Sequence, residues 1–294
     1  MYKRQPFAPS NVFGMSPSIG LVFCFACFVG FEATTIYGEE AKDPKRTIPL
    51  ATYFSILLVG GFYMLSSWCM VNGEGVLKLV GFLGGLPDPT RFLFLLADRY
   101  VGHWLSLVMS VLFVTSVYAG LLAFHNSVAR YFYAMGREGL LPDHFGKTHV
   151  VHQSPHTGSV AQTVIAAVVI GIFAVAQLDP VLALFSWLTN VGTLGVITLM
   201  AIASFAVPAF FHRNPGASEG VFSSYIAPVI AGVLLIAVLI LIVTHFDLLT
   251  GTSDTLAYGL TGLILLAAII GVGLALRLRA ADYGRYLTIG HEKH

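Results

Sequence analysis

Glu32 is an acid set inside an apolar run. The run reads Leu21-Val22-Phe23-Cys24-Phe25-Ala26-Cys27-Phe28-Val29-Gly30-Phe31-Glu32, and Gly30 and Glu32 fall past the middle of the stretch 17–37. Glycine weakens a helix by about 1 kcal/mol relative to alanine. A carboxylate at mid-membrane costs at least about 2.5 kcal/mol on insertion scales. Together they invite a break. Where a membrane helix unwinds, freed amides and carbonyls need partners, and a polar solute or water can supply them. The N-terminus of the second half-helix then offers partial positive charge to an anionic group. A kinked helix with Glu32 buried against a neighbour is the other reading of the same residues. Cys24 and Cys27 form a C-x-x-C, but no second ligand pair accompanies them, so they read as packing residues.

A second set of charges follows: Glu39 and Glu40, then Asp43-Pro44-Lys45-Arg46-Thr47-Ile48-Pro49. Acids at a helix C-terminus oppose the helix dipole and call for cationic partners. Arg46, Arg130 and Arg137 are expected on the same side and supply the candidates for an inner gate of ion pairs; a solvated loop is the alternative. Pro49 suits the first turn of the next helix. His125 and Asn126 lie in the inner part of a later apolar span, and a histidine there could sense protons or simply bond within the bundle. His144, His149, His152 and His156 crowd the segment 143–156, without an organised acid or thiol set that would suggest a metal.

The elements that hold these residues follow from composition. Of the 294 residues, 56% are apolar and 11% charged, and the mean hydropathy is +0.79; a soluble domain carries about 25% charge. The class is an all-α polytopic membrane protein, since backbone in lipid must satisfy its own hydrogen bonds. A net charge of +1 on such a chain leaves no soluble basic face for nucleic acid. Seven spans are expected, at about 17–37, 48–71, 104–134, 157–178, 181–211, 222–246 and 255–278, with an outer loop at 73–100 and an inner loop at 135–156. Eleven of the Lys and Arg residues fall on one side and five on the other, which places the N-terminus outside and the C-terminus in the cytoplasm. Lys3 and Arg4 oppose that orientation. Missing upstream helices would resolve the conflict, so the chain is expected to be partial. No secretory signal is expected. No nucleophile–base set appears, so an enzyme is not expected.

The block Gly30-Phe31-Glu32, Glu39-Glu40, then Asp43-Pro44 through Pro49 resembles the sixth-helix motif of the amino acid–polyamine–organocation superfamily of permeases, G-F-E, E-E and N-P-x-R-x-I-P. Asp43 stands where that family often has Asn. A second block resembles the family's eighth helix and its exit, R-x-x-x-A-x-x-R-[DE]-G-x-L-P. Arg130, Ala134, Arg137, Glu138, Gly139, Leu141 and Pro142 carry that match. The resemblance covers essentially the whole chain. It implies a partial leucine-transporter-type fold: the second inverted repeat and two extra helices, helices six to twelve, with helices one to five absent.

It also implies a secondary transporter of amino acids or related amines in the plasma (inner) membrane, working by alternating access and coupled to protons or by exchange, without cofactor or metal. Backbone at Phe28, Val29, Gly30 and Phe31 would receive the substrate's ammonium group. Phe31 and Phe124 would serve as aromatic lids, and Glu32 or His125 would carry the proton. Phe124 aligns with an aromatic gate of the arginine-exchanging branch. Ala26 stands where that branch has tryptophan, which speaks against arginine as substrate. Thr115 and Ser116 resemble sodium-coordinating hydroxyls of sodium-coupled relatives. The rival reading is a non-transporting truncated protein, or a half that needs a separate N-terminal half.

Overall fold

A computed structural model of the chain describes Pro9 and residues 17–38, 41–215, 220–287 and 289–290. All regular structure among the described residues is helical. The helices are α1 (Pro17–Phe28), α2 (Ala33–Ile36), α3 (Pro44–Glu74), α4 (Val76–Gly84), α5 (Phe92–Tyr100), α6 (His103–Arg137), α7 (His156–Val175), α8 (Ser186–Arg213), α9 (Ala227–Thr244), α10 (Phe246–Thr250), α11 (Asp254–Ala281) and α12 (Tyr283–Leu287). π-helical turns at Pro180–Phe185 and Phe222–Ile226 lead into α8 and α9. Six helical stretches among the described residues are long and apolar enough to cross a bilayer. The chain is a multi-pass membrane protein.

The stretch 17–37 differs from the other expected spans. It is two short helices, α1 and α2, separated by residues 29–32. α3 begins earlier than the hydropathy suggests. Pro44 takes its first position, where a missing N–H costs nothing, and Asp43 O accepts from Thr47 N at 2.9 Å. Pro49 therefore lies inside α3 rather than in its first turn, where it removes one helical hydrogen bond. At about 1.5 Å per residue, the 31 residues of α3 exceed a hydrocarbon core of about 30 Å. Its apolar side chains Leu57 and Phe62 are 75% and 67% exposed, as lipid-facing residues are.

The described chain divides into two compact units. One contains Gly30–Tyr133 and Thr148–Gln162; the other contains Ser18–Val29, Ala134–Lys147 and the described part of Thr163–His294. In the first unit, α6 and the start of α7 cross at Gly158. A Cβ on Gly158 would lie 2.6 Å from Ala129 O and 3.2 Å from Phe132 Cβ, so only glycine fits. In the same unit the loop 75–102 is largely helical. Phe92 and Leu96, four apart on α5, are buried along with Ala97, whereas Leu93 is exposed. Leu96 packs on Gly73, Arg99 Nη1 donates to Glu74 Oε2 at 2.6 Å, and Tyr100 Oη donates to Gly73 O at 2.5 Å.

The second unit has an apolar core. Leu194, Ile197 and Ala201 of α8 meet Leu235, Val238 and Ile242 of α9, with Phe246 and Leu249 of α10 and Ala257 of α11. Polar groups at one end of α8 close on α10: Trp187 Nε1 donates to Thr250 O at 3.2 Å and Ser186 Oγ to Leu249 O at 3.3 Å. Asp179 caps the π-helical turn, accepting from Val181 N at 2.8 Å and Leu182 N at 2.7 Å.

Gly158→Ala is expected to destabilise the protein by about 1–3 kcal/mol, because the obstructing atoms are backbone; thermal unfolding in detergent measures it. Asp88 gives a pH test. Its carboxylate accepts from Thr90 Oγ1 at 2.5 Å and Thr90 N at 2.9 Å, and these bonds hold its pKa below the usual carboxylate value. A depressed pKa contributes stability above the unfolded value, about 3.9, that is lost as pH falls through the lower folded one. The Thr90 amide should keep its hydrogen-exchange protection until pH falls below the ordinary aspartate range. In Asp88→Ala that protection should be absent at every pH.

Candidate functional site

The break between α1 and α2 turns on Gly30. Its φ of +113° lies in the region that L side chains rarely adopt. No neighbouring atom lies within 4 Å of an added Cβ, so the requirement for glycine is conformational rather than steric. Val29 N reaches Ala26 O at 3.3 Å, and Ala33 N reaches Gly30 O at 3.1 Å; both bonds span three residues rather than four. The Gly30 amide turns instead to the Glu32 carboxylate, donating to Oε2 at 2.8 Å. Among the described residues the Val29 carbonyl accepts no backbone hydrogen bond. Thr34 Oγ1 donates to Phe31 O at 3.2 Å and Thr35 Oγ1 to Glu32 O at 2.7 Å, so two further carbonyls are held by side chains. Thr34 and Thr52 share a hydroxyl–hydroxyl bond of 2.7 Å, which ties α2 to α3.

The first unit gathers Gly30, Phe31 and Glu32 with Phe124, His125 and Arg130; Phe28 and Val29 belong to the second. Tyr37, just after α2, is the contact that sequence reasoning missed. Asn126 Nδ2 donates to its hydroxyl at 3.2 Å, and the Arg130 guanidinium stacks over its ring at 4.5 Å from the centroid. Asn126 and Arg130 are four apart on α6 and share a face, so an aromatic near the end of the preceding helix was the available signal. Phe124 is two residues from Asn126 and thus points elsewhere; it is 55% exposed.

His125 Nε2 and Ser159 Oγ are 2.7 Å apart, which joins α6 to α7 through a polar pair. Arg46 is exposed in the first turns of α3. Arg137 is half-buried and belongs to the second unit. Glu39 and Glu40, the acids expected to face these arginines, lie outside the described residues. Thr115 Oγ1 donates to Leu112 O at 2.9 Å, a bond to its own helix. Among the described residues no group of three or more His, Cys, Asp or Glu is arranged to hold a metal ion. The His149 ring stacks on His152 at 5.0 Å, and His149 Nδ1 accepts from two backbone amides.

A separate cavity of about 600 Å³ lies in the first unit between the last turns of α3, α5 and the start of α6. Its walls are mainly apolar. It lies away from the helix break, and it includes Trp68, whose Nε1 is buried without a hydrogen-bond partner among the described residues.

The sequence model of a family described as amino acid permease matches residues 4–274. The chain is 27% identical to the branched-chain amino acid permease of Bacillus subtilis (strain 168), over 68% of this chain and 39% of that protein. It is 32% identical to cationic amino acid transporter 4 of Mus musculus, over 72% of this chain and 31% of that protein. It is 28% identical to the methylthioribose transporter of the same Bacillus strain, over 68% of this chain and 40% of that protein. The chain thus spans about two fifths or less of the length of these relatives. No solved structure matches it significantly.

Glu32→Ala strips the acceptor from the half-buried Gly30 amide. It is expected to cost about 1–3 kcal/mol and to speed hydrogen exchange at residues 29–33. Glu32→Gln keeps an acceptor oxygen and should retain most of the protection. Equal exchange in both variants and the parent would contradict the assigned bond.

Proposed function

The chain belongs to the amino acid permease family, within the amino acid–polyamine–organocation superfamily, and we propose that it forms the substrate-carrying part of a secondary transporter of amino acids or related amines. The observation that carries this reading is the backbone opened at Gly30 within an apolar stretch. An α-ammonium group carries three donors. The Val29 carbonyl, which accepts no backbone bond among the described residues, suits such a donor. Phe28, Gly30 and Phe31 extend the same strip of backbone. Glu32 occupies the Gly30 amide and so holds the break open without solute.

The named relatives span branched-chain, cationic and methylthioribose transport. A backbone-centred site fits the branched-chain and cationic amino acids, because backbone atoms recognise the ammonium group they share while the surrounding side chains set what differs; methylthioribose carries no ammonium group. Substrate movement by alternating access is coupled to protons or to counter-substrate. Glu32 and His125 are the groups we assign to a proton; the Ser159 hydroxyl gives His125 a partner for either tautomer. Phe124 serves as a lid, and Glu39, Glu40, Arg46, Arg130 and Arg137 form the inner gate. The protein resides in the plasma membrane with its N-terminus outside and its C-terminus in the cytoplasm, the orientation that eleven of the Lys and Arg residues favour. Chemistry on a bound substrate is not part of this role.

A second reading rests on length. The chain spans about two fifths or less of the relatives named above. In this reading it is a half that works with a separate N-terminal half carrying helices one to five, or it does not transport at all.

Reconstitution in proteoliposomes tests both readings. With the N-terminal half of a relative co-reconstituted, saturable uptake of labelled amino acids is expected, and Gly30→Ala should reduce it by about fivefold or more, since an L residue at this φ is strained by about 1–3 kcal/mol. An imposed pH gradient that drives uptake assigns proton coupling; dependence on preloaded amino acid assigns exchange. Uptake unchanged by Gly30→Ala would sink the role of the break. Robust uptake by the chain alone would sink the half-subunit reading.

A further inference from the structure

The end of α11 carries a cavity that the transport reading leaves unused. About 320 Å³ in volume, it lies wholly within the second unit, between the turn that follows α6 and the junction of α11 with α12. Leu274, Arg277, Leu278 and Ala281 recur at helical spacing along one stripe of α11, and Arg285 on α12 continues it. Gly139 makes room opposite. At φ +80°, it lies so close to Arg285 that an added Cβ would be 3.4 Å from the arginine's Cδ and Nη1. The walls therefore combine two guanidinium groups with leucine side chains.

The two arginines differ in their partners. Arg285 Nη2 donates to Asp143 Oδ1 at 3.1 Å, but both side chains are substantially exposed, at 46% and 68%. Such a pair is held weakly and can exchange partners. Arg277 is exposed and makes no hydrogen bond or ion pair among the described residues. The lining thus pairs two arginines with one acid, Asp143, while Asp282 accepts from the Arg285 amide at 3.0 Å. Arg279, two residues on, is turned away and stacks over Tyr286 at 5.8 Å.

Depth narrows the ligand. Arg277 lies 23 residues past Asp254 at the start of α11, about 35 Å along the helix. The hydrocarbon core is about 30 Å thick, so a bilayer entered near Asp254 would end close to Arg277 and place its guanidinium among the headgroups. Guanidinium forks match phosphate oxygens bidentately, and basic pockets at helix ends are a recurring mode of lipid headgroup recognition.

We propose that this cavity binds the phosphodiester headgroup of an anionic phospholipid, with Arg277 and Arg285 on the phosphate and an acyl chain along Leu274 and Leu278. The phosphate draws Arg285 from Asp143, so the bound lipid loosens the ion pair between the turn after α6 and α12.

Native mass spectrometry of the full chain in detergent tests this, with phosphatidylglycerol and phosphatidylcholine of identical acyl chains titrated separately. Phosphatidylglycerol should bind more tightly. Arg277→Gln and Arg285→Gln should each weaken it by about fivefold, with phosphatidylcholine unaffected. Asp143→Asn should keep or strengthen binding, since it removes a competitor for Arg285. A photoactivatable phosphatidylglycerol on the unsubstituted chain should label residues 270–287; this arm needs no variant to fold. Equal binding of the two lipids would overturn the proposal, as would a preference that survives both arginine replacements or labelling confined elsewhere. Inorganic phosphate binding as tightly as the lipid would assign the site to a free anion and overturn the lipid assignment.

Discussion

A peptide group in hydrocarbon has no solvent to bond, so a chain that opens its helix inside a bilayer must find partners for each freed amide and carbonyl. Residues 29–35 answer part of that demand with their own atoms. Glu32 takes the Gly30 amide, Thr34 and Thr35 take the Phe31 and Glu32 carbonyls, and Ala33 closes on Gly30. Among the described residues the Val29 carbonyl accepts no backbone bond. An acid in an apolar stretch, which looks like a liability in the sequence, is what makes the opening tolerable: its carboxyl oxygen accepts at 2.8 Å from a backbone amide two residues away.

Around that segment the first unit relies on close approach rather than bulk. Gly158 lets α7 touch the backbone of α6, and this contact brings Ser159 to His125. The second unit is built differently, from a continuous aliphatic core between α8 and α9 closed by Phe246 and Ile242, each 1% exposed. Its buried polar groups bond mainly to their own helix, as Thr193, Thr198 and Ser204 do along α8, or join helix ends, as Ser186 and Trp187 do to α10.

The helical class was legible because a long apolar helix needs only composition to be recognised, and the weak point at Gly30 and Glu32 was legible because both residues are costly there. The partner of Glu32 was not. Whether the carboxylate meets a distant cation, a solute or its own backbone depends on the sign of φ at residue 30, which no residue pattern encodes. Pro49 was misleading for a related reason: Pro44 after Asp43 starts α3 first, and a proline tolerated at one end reads the same as one tolerated inside. Tyr37 escaped because its partners, Asn126 and Arg130, lie 89 positions and more away in the chain. In the outer loop 73–100 the helical periodicity is weak in the sequence, because Phe92 and Leu96 are buried while the equally apolar Leu93 between them is exposed.

The three tryptophans occupy three different electronic surroundings. Trp187 donates its ring N–H to a carbonyl, Trp104 is 62% exposed, and Trp68 holds a buried ring nitrogen that has no partner among the described residues, beside a cavity of about 600 Å³. An indole in so apolar a setting emits at shorter wavelength than one bonded to an acceptor. The chain therefore carries an intrinsic optical probe of that cavity: any guest that brings an acceptor to the Trp68 ring shifts its fluorescence to the red, with no label attached.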